Sequence, residues 1–256
     1  MATAYRTRKA SLLPGALILL RHGTTVWHEE NRFTGWADVP LSSTGIMEAH
    51  RVGELLSAAN IFPDVAHTSR LVRSIQTANH VLAAAKSSWV DSKRTWRLNE
   101  RHYGLLQGQR REDAVTKYGG THLDWWRRSW EGTPPPSRES VDPFDPRYGE
   151  GSGVPPMSES LRDVSHRVLP YWENEIKNDL RRGKTVLVVA HSNSLRAIVR
   201  HLDRTPDEDL AHLNIPIASP LIYRFDSTMA AVSHNYLSAR QSPARKTEVK
   251  DLVSEF

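Results

Sequence analysis

Two histidines in this chain each follow an apolar run, and that placement suits chemistry on phosphorus. In Leu20-Arg21-His22-Gly23-Thr24-Thr25 the imidazole of His22 has an arginine on one side and a glycine on the other. A neutral imidazole is available near pH 7 because its unperturbed pKa is about 6.5, so His22 can attack an electrophilic phosphoryl group. Arg21 can offer phosphate oxygens a planar fork of donors, and Gly23 is expected to let backbone approach the phosphate. In Ala190-His191-Ser192-Asn193-Ser194 a second histidine lies between a buried run and a helix pattern. Backbone N–H groups at such a helix start favour anions, and His191 could neutralise charge on a transferring group. The same segment also fits a nucleophile elbow, with Ser192 attacking and Asp207 and His234 completing a triad. Taken alone, it leaves both readings open.

Other candidates gather around these two. Arg70 and Arg73 open a helix pattern after a short strand pattern, with Arg73 directed to the same edge. The stretch Trp96-Arg97-Leu98-Asn99-Glu100-Arg101-His102-Tyr103-Gly104 offers Glu100 as a general acid/base. Arg101 and Tyr103 there can hold an anion. Trp125-Trp126-Arg127-Arg128 could serve a carboxylate or a nucleic acid. The bland alternatives are charged loops and a helix whose tryptophans are core and whose arginines are solvated.

Those residues need a scaffold. Residues 16–20 (ALILL) and 186–190 (VLVVA) are continuous apolar runs, which read as strands buried on both faces. Residues 64–69 and 219–225 read as further strands. Helical spacing marks the segment following Leu41-Ser42-Ser43-Thr44, with an N-cap in the Ser/Thr cluster, and also residues 71–85, 124–130, 158–182 and 195–202. Pro170 is expected to kink the long one. Alternating strands and helices predict an α/β fold with three αβα layers and a mostly parallel central sheet. Ligands of such sheets bind beyond the strand C-termini. We expect a flexible tail over residues 1–13, one catalytic domain over 14–237, a Pro/Gly-rich loop near 133–156 ordered over the site, and a polar tail over 238–256.

Composition narrows the classes. The chain has 256 residues, 25% charged, with a net charge of +5. Its basic residues are scattered among acids, which points to an anion pocket and away from nucleic acid. No apolar run approaches the length of a membrane span. There is no cysteine, so thiolate nucleophiles and disulfides are excluded, and a cytoplasmic location is expected. The basic N-terminus leaves organelle targeting as an alternative. Nucleotide-binding loops and the H-E-x-x-H metal pattern are missing.

Assembled in order, LLRHG, NRFTGWADVPLSSTG, HTSRLVRSIQT, WRLNERHYGLLQG, WWRRSW, ESLRDVSHRVLPYW and AHSNSLR resemble the cofactor-dependent phosphoglycerate mutases of the histidine phosphatase superfamily. The resemblance covers residues 16–225. It implies a phosphoglycerate mutase-like fold and interconversion of 3- and 2-phosphoglycerate through phosphorylated His22. It further implies priming by 2,3-bisphosphoglycerate, no metal, and a homodimer or homotetramer. Arg21, Arg73 and His191 would form the phosphate pocket with Asn193 near it, and Glu100 would carry the proton. Thr34, Gly35, Arg101, Tyr103, Arg127 and Arg128 would hold the rest of the substrate. The chain departs from the usual pattern at Thr25, where the family has Ser, at His28 (Asn), at Ser192 (Gly) and at Arg111 (Lys). His28 and Ser192 sit where they can alter the phosphate pocket, and they motivate two alternatives: a phosphatase of another metabolite, and a weakly active anion-binding paralogue.

Overall fold

The structure is a computed structural model that describes residues 14–138, 145–148 and 155–238. The two terminal tails expected above, apart from Ser238, and parts of the Pro/Gly-rich loop lie outside the described residues. In chain order the elements are β1 (Leu17–Arg21), α1 (Val26–Glu29), α2 (Ser43–Ala58), β2 (Val65–Thr68), α3 (Val72–Ala84), β3 (Ser92–Arg94), α4 (Arg111–Tyr118), α5 (Gly120–Arg128), α6 (Leu161–Tyr171), a π-helical stretch (Trp172–Ile176), α7 (Lys177–Arg181), β4 (Val186–Ala190), α8 (Ser192–Asp203), β5 (Leu221–Phe225) and β6 (Ala231–Tyr236).

Six strands form one sheet in the order β3-β2-β4-β1-β5-β6. The β1–β4, β2–β4 and β2–β3 pairs are parallel, while β5 runs antiparallel to both β1 and β6. The mostly parallel sheet is therefore as expected. Side chains alternate across a strand, and both faces of the central strands are covered. Leu17, Leu19, Val186 and Val188 face one core with Val164, Val168, Leu195 and Ile198 of α6 and α8. Ile18, Leu20, Leu187 and Val189 face the other with Ala49, Val52, Leu56, Ala78 and Val81 of α2 and α3. That two-sided burial is why β1 and β4 read as unbroken apolar runs.

Strand order and chain direction make the crevice. From β1 the chain leaves through α2 toward β2, and from β4 it leaves through α8 toward β5 on the opposite side. The β1–β4 boundary is therefore a topological switch point. Arg21 pairs with Ala190 in register, so His22 and His191 are the next residues out of adjacent strands.

Several local expectations are corrected. Helix α8 begins at Ser192, not at 195, and His191 is its N-cap. Its polar opening Ser-Asn-Ser hides the start. Residues 92–94 and 231–236 are edge strands that carry polar or exposed side chains and show no apolar pattern. Helices α4 and α5 flank Gly119, whose φ of +79° breaks the chain between them. Pro170 leaves the helix unbroken, but the π-helical stretch follows it directly. Among the described residues, no helix is long and apolar enough to cross a membrane.

Candidate active site

His22 is buried, and its ring lies 4.8 Å, centroid to centroid, from that of His191. His22 Nδ1 is 2.7 Å from the Gly23 carbonyl. A carbonyl only accepts, so Nδ1 carries the proton and Nε2 keeps its lone pair. Burial, then the Arg73 and Arg21 guanidiniums and His28, hold His22 well below the usual imidazole pKa. The ring is neutral at physiological pH, which is the state a nucleophile needs.

The loop that carries it is held from α2 and α3. Gly23 N–H donates to Thr77 Oγ1 at 3.1 Å, and Glu48 accepts from both Thr24 N–H and Thr24 Oγ1. A Cβ on Gly23 would come within 2.5 Å of the Gly45 carbonyl oxygen. The glycine is thus required by the close approach of α2.

His28 belongs to the same pocket. Its ring stacks on His22 at 5.5 Å, with 16° between the planes. It closes a capping box: Thr25 N–H donates to His28 Nδ1 and His28 N–H donates to Thr25 Oγ1, both at 3.2 Å. Nδ1 therefore accepts, and the proton sits on Nε2. Burial, then Arg21, Arg73 and Arg111, lower His28 to about 4. It stays neutral at pH 7.

Arg21 and Arg73 supply the charge. Arg73 is buried on α3, and its fork donates to the carbonyls of Ala37 (2.9 Å) and Gly35 (2.8 Å). Arg21 donates to the Ile215 carbonyl. His191 Nε2 lies 2.8 Å from Ser69 Oγ. Burial, then Arg73 and His22, push His191 well below its ordinary value. Arg21 Nε, Arg73 Nε, Arg101 Nε and His191 Nδ1 are buried with no hydrogen-bond partner among the described residues. The Arg21 and Arg73 guanidiniums and the His191 ring thus lie around His22, a donor set that fits an oxyanion.

Glu100 closes the cleft. Its Oε1 accepts from Arg101 N–H (2.8 Å), Asn193 N–H (3.2 Å) and Asn193 Nδ2 (2.9 Å). Asn193 Nδ2 also donates to Tyr103 Oη at 3.1 Å. The Arg101 guanidinium lies 4.7 Å from the Tyr103 ring centre. Burial alone would raise the Tyr103 phenol, but Arg101 brings it below its usual value.

The remaining candidates are less uniform. Thr34 is buried beside Gly35, whose φ is +55° and whose Cβ, were it present, would meet Gln107 Oε1 at 2.1 Å. Arg111 packs over Phe33 at 5.4 Å. Arg127 is half-buried, and burial and Arg111 lower its pKa. Arg128 is turned away: it is half-exposed and donates to the Ala211 carbonyl. Ser192 is the first residue of α8. The serine-hydrolase alternative fails on geometry. Asp207 pairs with Arg200, and His234 lies 3.5 Å from Asp203 at the far end of α8, roughly 16 Å along the helix from Ser192.

Two buried arginines that sequence reasoning missed support the site. Arg167 of α6 donates to the carbonyls of Arg97, Asn99 and Glu100 and pairs with Glu159 at 2.7 Å. It clamps the loop that presents Glu100. Arg196 of α8 donates to Asn193 Oδ1 at 3.1 Å. Both lie in stretches that carry the resemblance, but an arginine in a helix pattern reads as a solvated residue. Tyr148, from the described part of the long loop, accepts from Asn99 Nδ2 and stacks on Trp36 at 5.0 Å. Among the described residues, no group of three or more His, Asp or Glu side chains is placed to hold a metal.

Comparison with known proteins agrees with this geometry. A sequence profile of the histidine phosphatase superfamily (branch 1) matches residues 17–151 and 147–236. The chain is 51% identical over 217 residues to the 2,3-bisphosphoglycerate-dependent phosphoglycerate mutase of Clavibacter michiganensis subsp. michiganensis, covering 83% of this chain and 86% of that one. It is 50% identical over 225 residues to the phosphoglycerate mutase of Candida albicans, covering 86% and 90%. Among solved structures, a mycobacterial glucosyl-3-phosphoglycerate phosphatase with VO3 superposes with a TM-score of 0.65 at 22% identity, covering 87% and 97%. A putative α-ribazole-5'-P phosphatase from Escherichia coli superposes with a TM-score of 0.67 at 20% identity, covering 91% and 100%. These last two show the shared fold. The chain belongs to the histidine phosphatase superfamily and, within it, groups with the 2,3-bisphosphoglycerate-dependent phosphoglycerate mutases.

Proposed function

We infer that this chain interconverts 3-phosphoglycerate and 2-phosphoglycerate through a phosphohistidine at His22. The observation that carries the reading is the neutral His22 ring, with Nδ1 tied to Gly23 and Nε2 free, set 4.8 Å from His191 among two arginines. Identity of about half with curated mutases, over most of both chains, supports the same conclusion.

In this reading His22 Nε2 attacks phosphorus, and the bond to the substrate oxygen breaks. Arg21, Arg73 and His191 spread the charge of the transferring group, so catalysis is positioning plus electrostatic stabilisation. A dianionic phosphoryl group reverses the balance that keeps His191 neutral, and the ring can then hold a proton against the phosphate. Glu100 donates a proton to the oxygen that leaves and takes one from the hydroxyl that next attacks. Arg101, Tyr103, Arg111, Arg127 and Asn193 hold the carboxylate and the second phosphate; Arg128 enters that set only by turning from Ala211. Bisphosphoglycerate supplies the phosphoryl group that first charges His22, and the unpartnered nitrogens of Arg21, Arg73, Arg101 and His191 fit such a polyanion. Assembly as a homodimer or homotetramer and a cytoplasmic location complete the proposal.

A coupled mutase assay with a chelator present, with and without 2,3-bisphosphoglycerate, tests it. Turnover that depends on bisphosphoglycerate is expected, together with acid-labile, base-stable labelling of the protein that is absent from His22→Ala. Labelling undiminished in that variant would refute the assignment. Phosphate release outpacing isomerisation would favour the phosphatase alternative.

A further inference from the structure

Arg196 is buried on α8, one turn behind Asn193. Its Nη1 donates to Asn193 Oδ1 at 3.1 Å, and its Nη2 donates to the carbonyl of buried Leu210. The other end of the same amide donates from Nδ2 to Glu100 Oε1 and to Tyr103 Oη. This amide has only one workable orientation. Turned over, its NH2 would face a guanidinium, donor against donor, and its carbonyl would face a carboxylate, acceptor against acceptor. Arg196 therefore holds the amide from its carbonyl end while Glu100 and Tyr103 hold it from the other.

The consequence falls on the two carboxylate oxygens. Oε1 accepts three hydrogen bonds, two of them from Asn193. Oε2 accepts none from the described residues. We infer that Arg196 is a positioning residue: by holding the Asn193 amide it adds the Nδ2 bond to the two backbone N–H bonds on Oε1, and Oε2 is left as the atom that exchanges the proton with substrate. This rests on Glu100 being the proton carrier, as proposed above. Hydrogen bonds to the ionised form hold a carboxylate ionised, and losing one of them favours the protonated form.

The test is the pH dependence of turnover. In Arg196→Met the acid limb of kcat should move to higher pH by about one unit, with the plateau within about threefold of the wild type and KM nearly unchanged. Asn193→Ala, which keeps the arginine, should move the limb the same way, and Arg196→Met added to it should move it by less than it does alone, because the part carried by the amide is already gone. If Arg196→Met does not fold, Asn193→Ala reads the same bond from its other end. An unmoved acid limb in either variant overturns the inference, and so does an Arg196→Met shift that is undiminished in the Asn193→Ala background. So does a uniform loss of turnover at every pH, which a merely structural arginine would give. Full turnover in Glu100→Gln would instead overturn the proton-carrier reading, and the inference with it.

Discussion

Two buried polar clusters sit on this sheet, and they have opposite electrostatic designs. At the C-terminal edge, His22, His28, His191, Arg21 and Arg73 bring together cations and neutral rings with unpartnered nitrogens. Beneath β2 and β3, His67 is instead fully partnered: Nδ1 is 2.8 Å from Tyr171 Oη and Nε2 is 3.2 Å from Asp179. Asp179 also accepts from Lys93 at 2.8 Å and Lys184 at 2.7 Å. Burial alone would raise the Asp179 carboxyl, but Lys184 and Lys93 hold it down at about 2. The lower cluster contains its own anion. The upper one gathers cations and neutral rings, and in the function proposed above the anion it meets is the transferring phosphoryl group. A buried polar group without a partner costs stability, so the upper cluster carries a cost that the lower one avoids.

That contrast is broken most sharply at the nucleophile. His22→Ala should lower mutase turnover by about 10⁴-fold or more, as removing a covalent nucleophile does, while the melting temperature stays the same or rises. Next comes charge. Arg73→Met should cost about 10²–10³ in kcat and remove stabilisation by inorganic phosphate, which at 100 times its dissociation constant adds about 2.7 kcal/mol to the wild type. The coupled assay measures the first, and differential scanning with and without phosphate the second. Asp179→Ala should do the reverse, leaving kcat within about threefold but costing about 2–3 kcal/mol, a value discounted because water reaches the lysine heads.

Acidification separates the buried histidines from Asp179 by pH window. His28, His67 and His102 are each lowered to about 4, chiefly by burial. Between pH 6.5 and about 4 the unfolded chain binds protons that the folded chain refuses, so stability falls as pH falls. Each histidine contributes up to about 1.4 kcal/mol per pH unit. The Asp179 contribution is intact through that window and is lost only as pH drops from about 3.8 through about 2. Urea titrations across pH should show the His28 part of the first loss eased by phosphate and the Asp179 loss indifferent to it. The smallest expected effect is His28→Asn, which keeps a polar group beside His22; a change of about threefold or less in kcat is expected.

The sequence made the upper cluster legible because its carriers are extreme. Two unbroken apolar runs each ended in a histidine, and the parallel neighbours β1 and β4 bring those ends side by side. The lower cluster was invisible: His67 lies in a four-residue strand, and Asp179 and Lys93 look like surface charge until the fold buries the carboxylate. The same applies to Arg167 and Arg196, whose hydrogen bonds are mostly to backbone carbonyls distant in the chain. The edge strands β3 and β6 escaped notice because a strand with one exposed rim needs no apolar alternation.

The π-helical stretch at Trp172–Ile176 has a further implication. Such a stretch amounts to one residue inserted into an ordinary helix. An α-helix advances about 100° per residue, so without the wide turn the extra residue would rotate α7 by roughly that angle and swing Asp179 off its two lysines. The wide turn is thus a register spacer, and the anchoring of the sheet's β3 side depends on the length of a helix two elements away.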